Sequence, residues 1–197
     1  VCELDQLDMI EFRNVRLSRV SPSTVARELG VLGGVFRYAR QELRIMKDSP
    51  LSDIAKPPQS EPRERRISAI EIELILKAFS YHPTFQPINK KQQAAWAFLF
   101  AIETAMRASE ITGLTWKNVF DDYVLLPDTK NGTARRVPLS TKAKELLGLM
   151  IGLHQDNVCT LTNANTLSQY FWQVATEDLK LDDLNFHDTR HEATTRL

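Results

Sequence analysis

Three groups of basic side chains, far apart in the chain, have the types and spacing to act on a phosphodiester. The first is Arg107, in the run Thr104-Ala105-Met106-Arg107-Ala108-Ser109-Glu110-Ile111, just after an almost wholly apolar stretch. The second is Lys130, beside an Asn131-Gly132 turn signal. The third is the pair His187 and Arg190, spaced i,i+3 so that a helix carries both on one face. A planar guanidinium donates two parallel hydrogen bonds to nonbridging phosphate oxygens. An imidazole supplies a further donor, and a lysine on a hairpin can give a proton to a leaving oxygen. Each group also has an ordinary reading. Arg107 could form a structural ion pair with Glu103 or Glu110. A lysine beside a turn is commonly solvated, and Lys117 or Lys142 could compete with Lys130 for the role. His187 could cap its helix and His191 could sit in the core, but the i,i+3 pairing with Arg190 favours the phosphate reading. His82 and His154 have no partners at metal-ligand spacing, so no metal site is expected.

The elements that must position these groups are mostly helical. Asp5 to Leu17 reads as one helix, and Ser21-Pro22 as the start of a second. Val25, Leu29, Leu32, Phe36, Ala39 and Leu43 then form one apolar stripe, with Arg37, Arg40 and Arg44 on another face. Gly30, Gly33 and Gly34 imply a close backbone approach or a locally weak helix. Four prolines between residues 50 and 62 predict an extended segment, with a linker at 56–66. Ser68 and Glu71 fit a capping box flanked by Ile67 and Ile72 as a hydrophobic staple. A helix follows from about Lys90 to Ala105, with Trp96, Phe98 and Phe100 as core. Tyr123-Val124-Leu125-Leu126 and Arg136-Val137-Pro138-Leu139 flank Asn131-Gly132 as a hairpin, and Val119-Phe120 could add a third short strand. Ser140 caps a helix through about Gly152. Another starts at Thr166 to Gln169, and a last one near His187.

Length and composition set the frame. The chain has 197 residues with 25 basic and 25 acidic side chains, which allows one large domain or two small ones. The zero net charge hides an asymmetry. Residues 13–47 carry eight basic and two acidic side chains, and residues 145–192 carry eight acidic and two basic. A cancelled total does not forbid an electrostatic footprint for nucleic acid, which depends on where the charge clusters, although a stripe such as Arg37, Arg40 and Arg44 is by default a solvated helix face. Cys2 and Cys159 are too few for a disulfide framework, and a reducing, cytoplasmic setting is expected. The longest apolar run, Ala94 to Ile102, is far short of the roughly 20 residues of a membrane span. No signal peptide opens the chain, and its first residue, Val1, reads as the start of a fragment.

The three basic groups lie in boxes that resemble a known family. The run from Ala105 to Trp116 is similar to the first arginine box of the tyrosine site-specific recombinases, the phage integrase family. Thr129 to Leu139 resembles that family's strand-turn-strand lysine motif, and His187-Asp188-Thr189-Arg190-His191 its His-x-x-Arg-His box. Order and spacing agree for all three, and the resemblance covers nearly the whole chain. It implies a mainly α fold with a short antiparallel β-sheet. A partial helical core DNA-binding domain would occupy residues 1–55, an interdomain linker 56–66, and a mixed α/β catalytic domain 67–197.

The resemblance also implies roles. Arg107 and Arg190 would clamp the scissile phosphate, His187 would donate to it or manage a proton, and Lys130 would protonate the departing 5′ oxygen. Glu110 would support the site from behind, with His191 as a neighbour or secondary proton handler. Arg27, Arg37, Arg40, Arg44, Arg65 and Arg66 would contact DNA. No cofactor is implied, and the partner would be a duplex recombination site, bound by a homo-tetramer of the full-length protein near the nucleoid, with no membrane. The family's nucleophile is a tyrosine a few helical turns after the His-x-x-Arg box, and it forms a 3′-phosphotyrosyl link. The tyrosines here, Tyr38, Tyr81, Tyr123 and Tyr170, all lie upstream. The chain is therefore expected to bind DNA without cleaving it in cis. Competing expectations are a DNA-binding accessory protein, a type IB topoisomerase-like enzyme, and a helical protein-interaction module.

Overall fold

Helix starts follow the capping side chains. The computed structural model describes residues 4–58, 65–127 and 133–196. In it, Asp5, Ser21, Ser68, Asn89, Ser140 and Asn163 each sit extended before a helix and accept a first-turn N–H through the side chain. The chain divides into two compact units, residues 1–63 and 64–197.

The first unit pairs α1 (Gln6–Leu17) with α2 (Pro22–Gln41). Met9 from α1 is buried, as are Val25, Leu29 and Phe36 of the expected stripe. A bidentate ion pair ties the helices together: Arg16 Nε and Nη2 donate to the two Glu28 carboxylate oxygens at 2.8 and 2.6 Å. The stripe ends earlier than the spacing predicts. Because α2 stops at Gln41 and Arg44 takes a left-handed φ of 52°, Leu43 is exposed and Arg44 leaves the face of Arg37 and Arg40. Among the described residues no backbone approaches closely at the three glycines: a Cβ on Gly33 would meet the Leu51 side chain in ordinary contact at 3.8 Å, and Gly30 and Gly34 face open space. The proline-rich stretch is not extended throughout. Residues 50–53 form a turn, with the Ser52 N–H donating to the Ser49 carbonyl at 2.9 Å. Gln6 and Arg13 of α1 donate to the Ser52 and Ala55 carbonyls, fastening this turn to the helix.

The second unit is built around α4 (Lys90–Thr104), whose residues 93–102 are all buried. A helix apolar on every side must lie inside a domain. The Trp96 ring stacks on Phe100 at 5.0 Å between centroids, and its indole N–H donates to the Leu146 carbonyl at 2.7 Å. Phe98 stacks on Phe171, which meets Phe186 edge-on. Around α4 lie α3 (Ala69–Ala78), α5 (Ala108–Thr112), α6 (Thr141–Gly148), α7 (Ala164–Trp172) and α8 (Asp188–Arg196). Strands β1 (Tyr123–Leu126) and β2 (Arg135–Pro138) pair antiparallel, with Leu126 opposite Arg135 and Tyr123 opposite Pro138.

Several boundaries differ from the expectations. Val119 makes only an isolated bridge to Val124 rather than a third strand, and α6 ends at Gly148 rather than Gly152. The α7 helix starts earlier, from Asn163, and runs into a π-helical segment, Gln173–Asp178, that periodicity did not indicate. Among the described residues, no helix is long and apolar enough to cross a membrane.

Candidate active site

The site is assembled where α4 stops. Ala105 takes left-handed angles, φ 52° and ψ 24°, and reverses the chain after Thr104. For a residue with a Cβ this conformation costs roughly 1–2 kcal/mol, and the surrounding packing holds it. Met106 is buried as an anchor. Arg107 then sits extended, φ −74° and ψ 155°, immediately before α5.

Glu110 holds Arg107 in place. Its Oε2 accepts the Arg107 backbone N–H at 2.8 Å, and its Oε1 accepts Arg107 Nη1 at 2.9 Å. One carboxylate thus sets both the backbone and the guanidinium of Arg107. The pairing that an ordinary structural arginine would make is present, yet the Arg107 side chain keeps 31% of its surface open. Burial pushes the Glu110 carboxyl up. The hydrogen bonds from the Arg107 backbone and side chain and from Arg135 outweigh it, so Glu110 ionises below the ordinary carboxylate range.

Arg190 reaches the same place from α8. Its Nη1 donates to the Ala105 carbonyl at 2.6 Å, two residues before Arg107. Two arginines more than eighty positions apart in sequence therefore hang on one turn. Burial lowers the Arg190 pKa, and the positive charges of Arg107 and Arg135 lower it further, against Glu110. A guanidinium remains charged under such a shift. The cost of crowding three cations then becomes a standing attraction for an anion.

His187 precedes α8 and lies largely exposed, with its ring edge-on to His191 at 6.0 Å between centroids. Desolvation of its ring pulls its pKa below the ordinary histidine value. The charges of His191, Arg190 and Arg107 act in the same direction, and Asp188 opposes them. A ring of that kind is neutral at pH 7, with one N–H to donate. Beneath it, the Asp188 carboxylate is buried and accepts the Asn185 N–H at 2.8 Å, which fixes the start of α8.

The remaining expected site residues fall into other settings. Lys130 lies outside the described residues. Arg65 pairs with Glu71, and Arg66 Nε donates to Glu192 at 2.9 Å. Glu192, whose side chain is only 4% exposed, also accepts the Ile67 N–H at 3.1 Å and Arg196 Nε at 2.8 Å. The bonds from Arg66, Arg196 and Ile67 hold the Glu192 carboxyl at about 2 despite its burial. Arg65 and Arg66 thus fasten the chain ahead of α3 to α3 and α8, and Arg66 still has half its side chain open. Arg27, Arg37, Arg40 and Arg44 are exposed in the first unit, and among the described residues no carboxylate pairs with them.

One member of the site was missed in the sequence. Arg135 Nη2 donates to Glu110 Oε2 at 2.6 Å, making it the third guanidinium of the cluster. The signal was present in the period of two along β2. Arg135 shares a strand face with Val137, which is 4% exposed, whereas Arg136 points outward over the Tyr123 ring at 4.9 Å. An arginine in the inward row of a strand needs an acidic partner.

Residues 65–197 match the phage integrase family. The chain belongs to that family. Over 98% of its length this phage integrase family member is 34% identical to the shufflon-specific DNA recombinase of Escherichia coli. Over 91% it is 28% identical to the tyrosine recombinase XerC of Erythrobacter litoralis. The chain spans 50% of the first of these proteins and 61% of the second. Among solved structures, a lambda integrase tetramer bound to a Holliday junction superposes with a TM-score of 0.76, at 17% identity, over 99% of this chain and 60% of that one. The Tn1549 transposon integrase in complex with circular intermediate DNA superposes with a TM-score of 0.68 at 19% identity, covering 99% of this chain and 73% of that one. These likenesses establish the fold, mainly helical with a two-stranded antiparallel sheet.

Proposed function

We propose that this family member binds duplex DNA and carries the phosphate-binding groups of a strand-breaking and rejoining site. One observation carries the reading: Arg107 and Arg190 converge on the Ala105–Arg107 turn, with their charges incompletely neutralised and His187 at the start of the same helix as Arg190. Fixed positive charge of this kind favours a phosphorane transition state, in which charge builds on nonbridging oxygens, over the ground-state diester.

In the reaction, a tyrosine oxygen attacks phosphorus, the bond to the 5′ oxygen breaks, and a 3′-phosphotyrosyl link forms. Arg107 and Arg190 hold the nonbridging oxygens, His187 donates to one of them, and Lys130 gives its proton to the departing 5′ oxygen. The reverse attack by a 5′-hydroxyl from another strand rejoins the DNA without loss of bond energy. His191, edge-on to His187, keeps the role of neighbour or secondary proton handler. Tyr38, Tyr81, Tyr123 and Tyr170 all precede the His187–Arg190 box and are not assigned as the nucleophile. Tyr81 is buried with its phenol pushed up to about 12 by desolvation, and Tyr123 lies under Arg136 in the hairpin.

Arg27, Arg37, Arg40 and Arg44 act as backbone contacts that track phosphates, and Arg66 adds its open half. The working assembly is a homo-tetramer on paired sites, next to the nucleoid. Integration at a mobile element fits the likeness to lambda integrase.

Two measurements test the reading. Binding of this chain to duplex DNA should weaken steeply with salt, by about 0.9 in log–log slope per phosphate contact. Absence of binding at both low and high salt would remove DNA as the partner. In the longer protein, Lys130→Ala should lose cleavage that a substrate with a better 5′ leaving group restores. No rescue would remove Lys130 as the acid.

A further inference from the structure

The feature that the proposed chemistry leaves unexplained is Arg135. It donates to Glu110 Oε2 at 2.6 Å, and the same oxygen takes the Arg107 backbone N–H at 2.8 Å. The Glu110 side chain is 8% exposed, so its two oxygens have little water to fall back on. With Arg135 in place, Oε2 is held from both sides. Oε1 is then left to a single donor, Arg107 Nη1 at 2.9 Å. The carboxylate cannot rotate without breaking three charge-assisted bonds. The Arg107 guanidinium inherits that fixed orientation.

Arg135 also belongs to the strand that comes after the lysine turn. It opens β2, opposite Leu126 at the end of β1, and its strand neighbour Val137 is buried in the core. Among the described residues its Nε is buried without a hydrogen-bond partner, and its Nη2 donates to Glu110. A buried donor normally finds a partner. Leaving one unpaired is a cost that the Glu110 contact must offset.

We propose that Arg135 is a positioning residue: through Glu110 it sets the Arg107 guanidinium, and it thereby links β2 to the phosphate clamp. This role rests on the strand-cleavage reading. It adds that β2 and the turn that carries Arg107 are assembled as one unit. A shift of β2 takes the Glu110 carboxylate, and hence Arg107, out of register.

The test is a cycle in the full-length protein on nicked DNA carrying its own recombination site. Single-turnover formation of the covalent adduct is the readout. Arg135→Gln should slow adduct formation at least tenfold, with DNA affinity within about threefold of the parent. Arg135→Lys, which keeps one charged donor, should recover part of the loss. In a Glu110→Gln background, Arg135→Gln should cost less than twofold more, because both substitutions break the same link. Effects that multiply, or an Arg135→Gln rate within twofold of the parent, would overturn the proposal. A parent protein that forms no adduct would instead overturn the cleavage reading.

A second readout uses the present chain and needs no activity. The side-chain NMR signal of Arg107 should show restricted motion in the parent and faster motion in Arg135→Gln, with the backbone spectrum otherwise kept. Unchanged Arg107 motion would overturn the positioning role even where cleavage is absent.

Discussion

Arginine does two different jobs in the two units of this molecule. In the second unit, Arg107, Arg135 and Arg190 are each tied to a carboxylate or a carbonyl, and their positions are set before any ligand arrives. In the first unit, Arg27, Arg37 and Arg40 stand out from α2 into solvent. The charge is the same and the physics differs. A tethered, partly desolvated guanidinium contributes strongly at one point and loses little entropy on binding. A solvated one contributes a screened attraction that depends on ionic strength. The first arrangement suits a transition state, and the second suits a long polyanion.

Removing a tethered arginine should have the largest effect. Arg107→Ala or Arg190→Ala in the longer protein should cut single-turnover cleavage by about 100- to 1000-fold, while DNA affinity changes far less. An affinity loss as large as the rate loss would erase the distinction between the two settings.

The next effect falls on the scaffold of the tethered set. Glu192 is buried and bonded to Arg66, Arg196 and the Ile67 N–H. Glu192→Gln should lower unfolding stability by about 1–2 kcal/mol, the scale for weakening charge-assisted hydrogen bonds whose arginine partners stay open to water, as read by denaturant unfolding. The pH dependence sharpens this. In the folded chain their arginine partners hold Glu71 and Glu192 at about 2, below their ordinary value. Their contribution to stability is therefore full above the ordinary carboxylate range and is lost as pH falls through that range toward about 2. A flat stability profile across that acid window would mean that the two carboxylates are not held as described.

The smallest effect belongs to the solvated set. Replacing Arg37 and Arg40 by Ala should reduce the salt dependence of DNA binding by up to about 0.9 in slope for each phosphate no longer neutralised. Folding stability should stay within about 0.5 kcal/mol. A marked loss of stability would place these side chains among the tethered ones.

How far the sequence was legible follows the same division. Caps are local, so Ser21, Ser68 and Ser140 mark their helices from the sequence, whereas Asp5, expected inside the first helix, is its cap. The apolar run of α4 identified the centre of the core because no surface helix is apolar all round. Where local signals compete with tertiary contacts, sequence and structure part. The stripe carried α2 on to Leu43, although the helix ends at Gln41. The four prolines suggested an extended segment where the Ser49–Ser52 hydrogen bond makes a turn. In the candidate site, Arg107, Glu110, His187 and Arg190 stand out by spacing and by resemblance, while Arg135 is hidden in the sequence beside its exposed neighbour Arg136.

The sequence alone determined where most helices begin, which faces are apolar and which side chains have the chemistry for a phosphodiester, because caps, periodicity and functional groups are local properties. Only the tertiary structure decided that Arg190 meets the carbonyl of Ala105, that Arg135 turns inward to Glu110, and that Arg65 and Arg66 are committed to carboxylates. Those outcomes depend on where distant segments pack, and a buried or half-buried charge takes whichever partner that packing brings within reach.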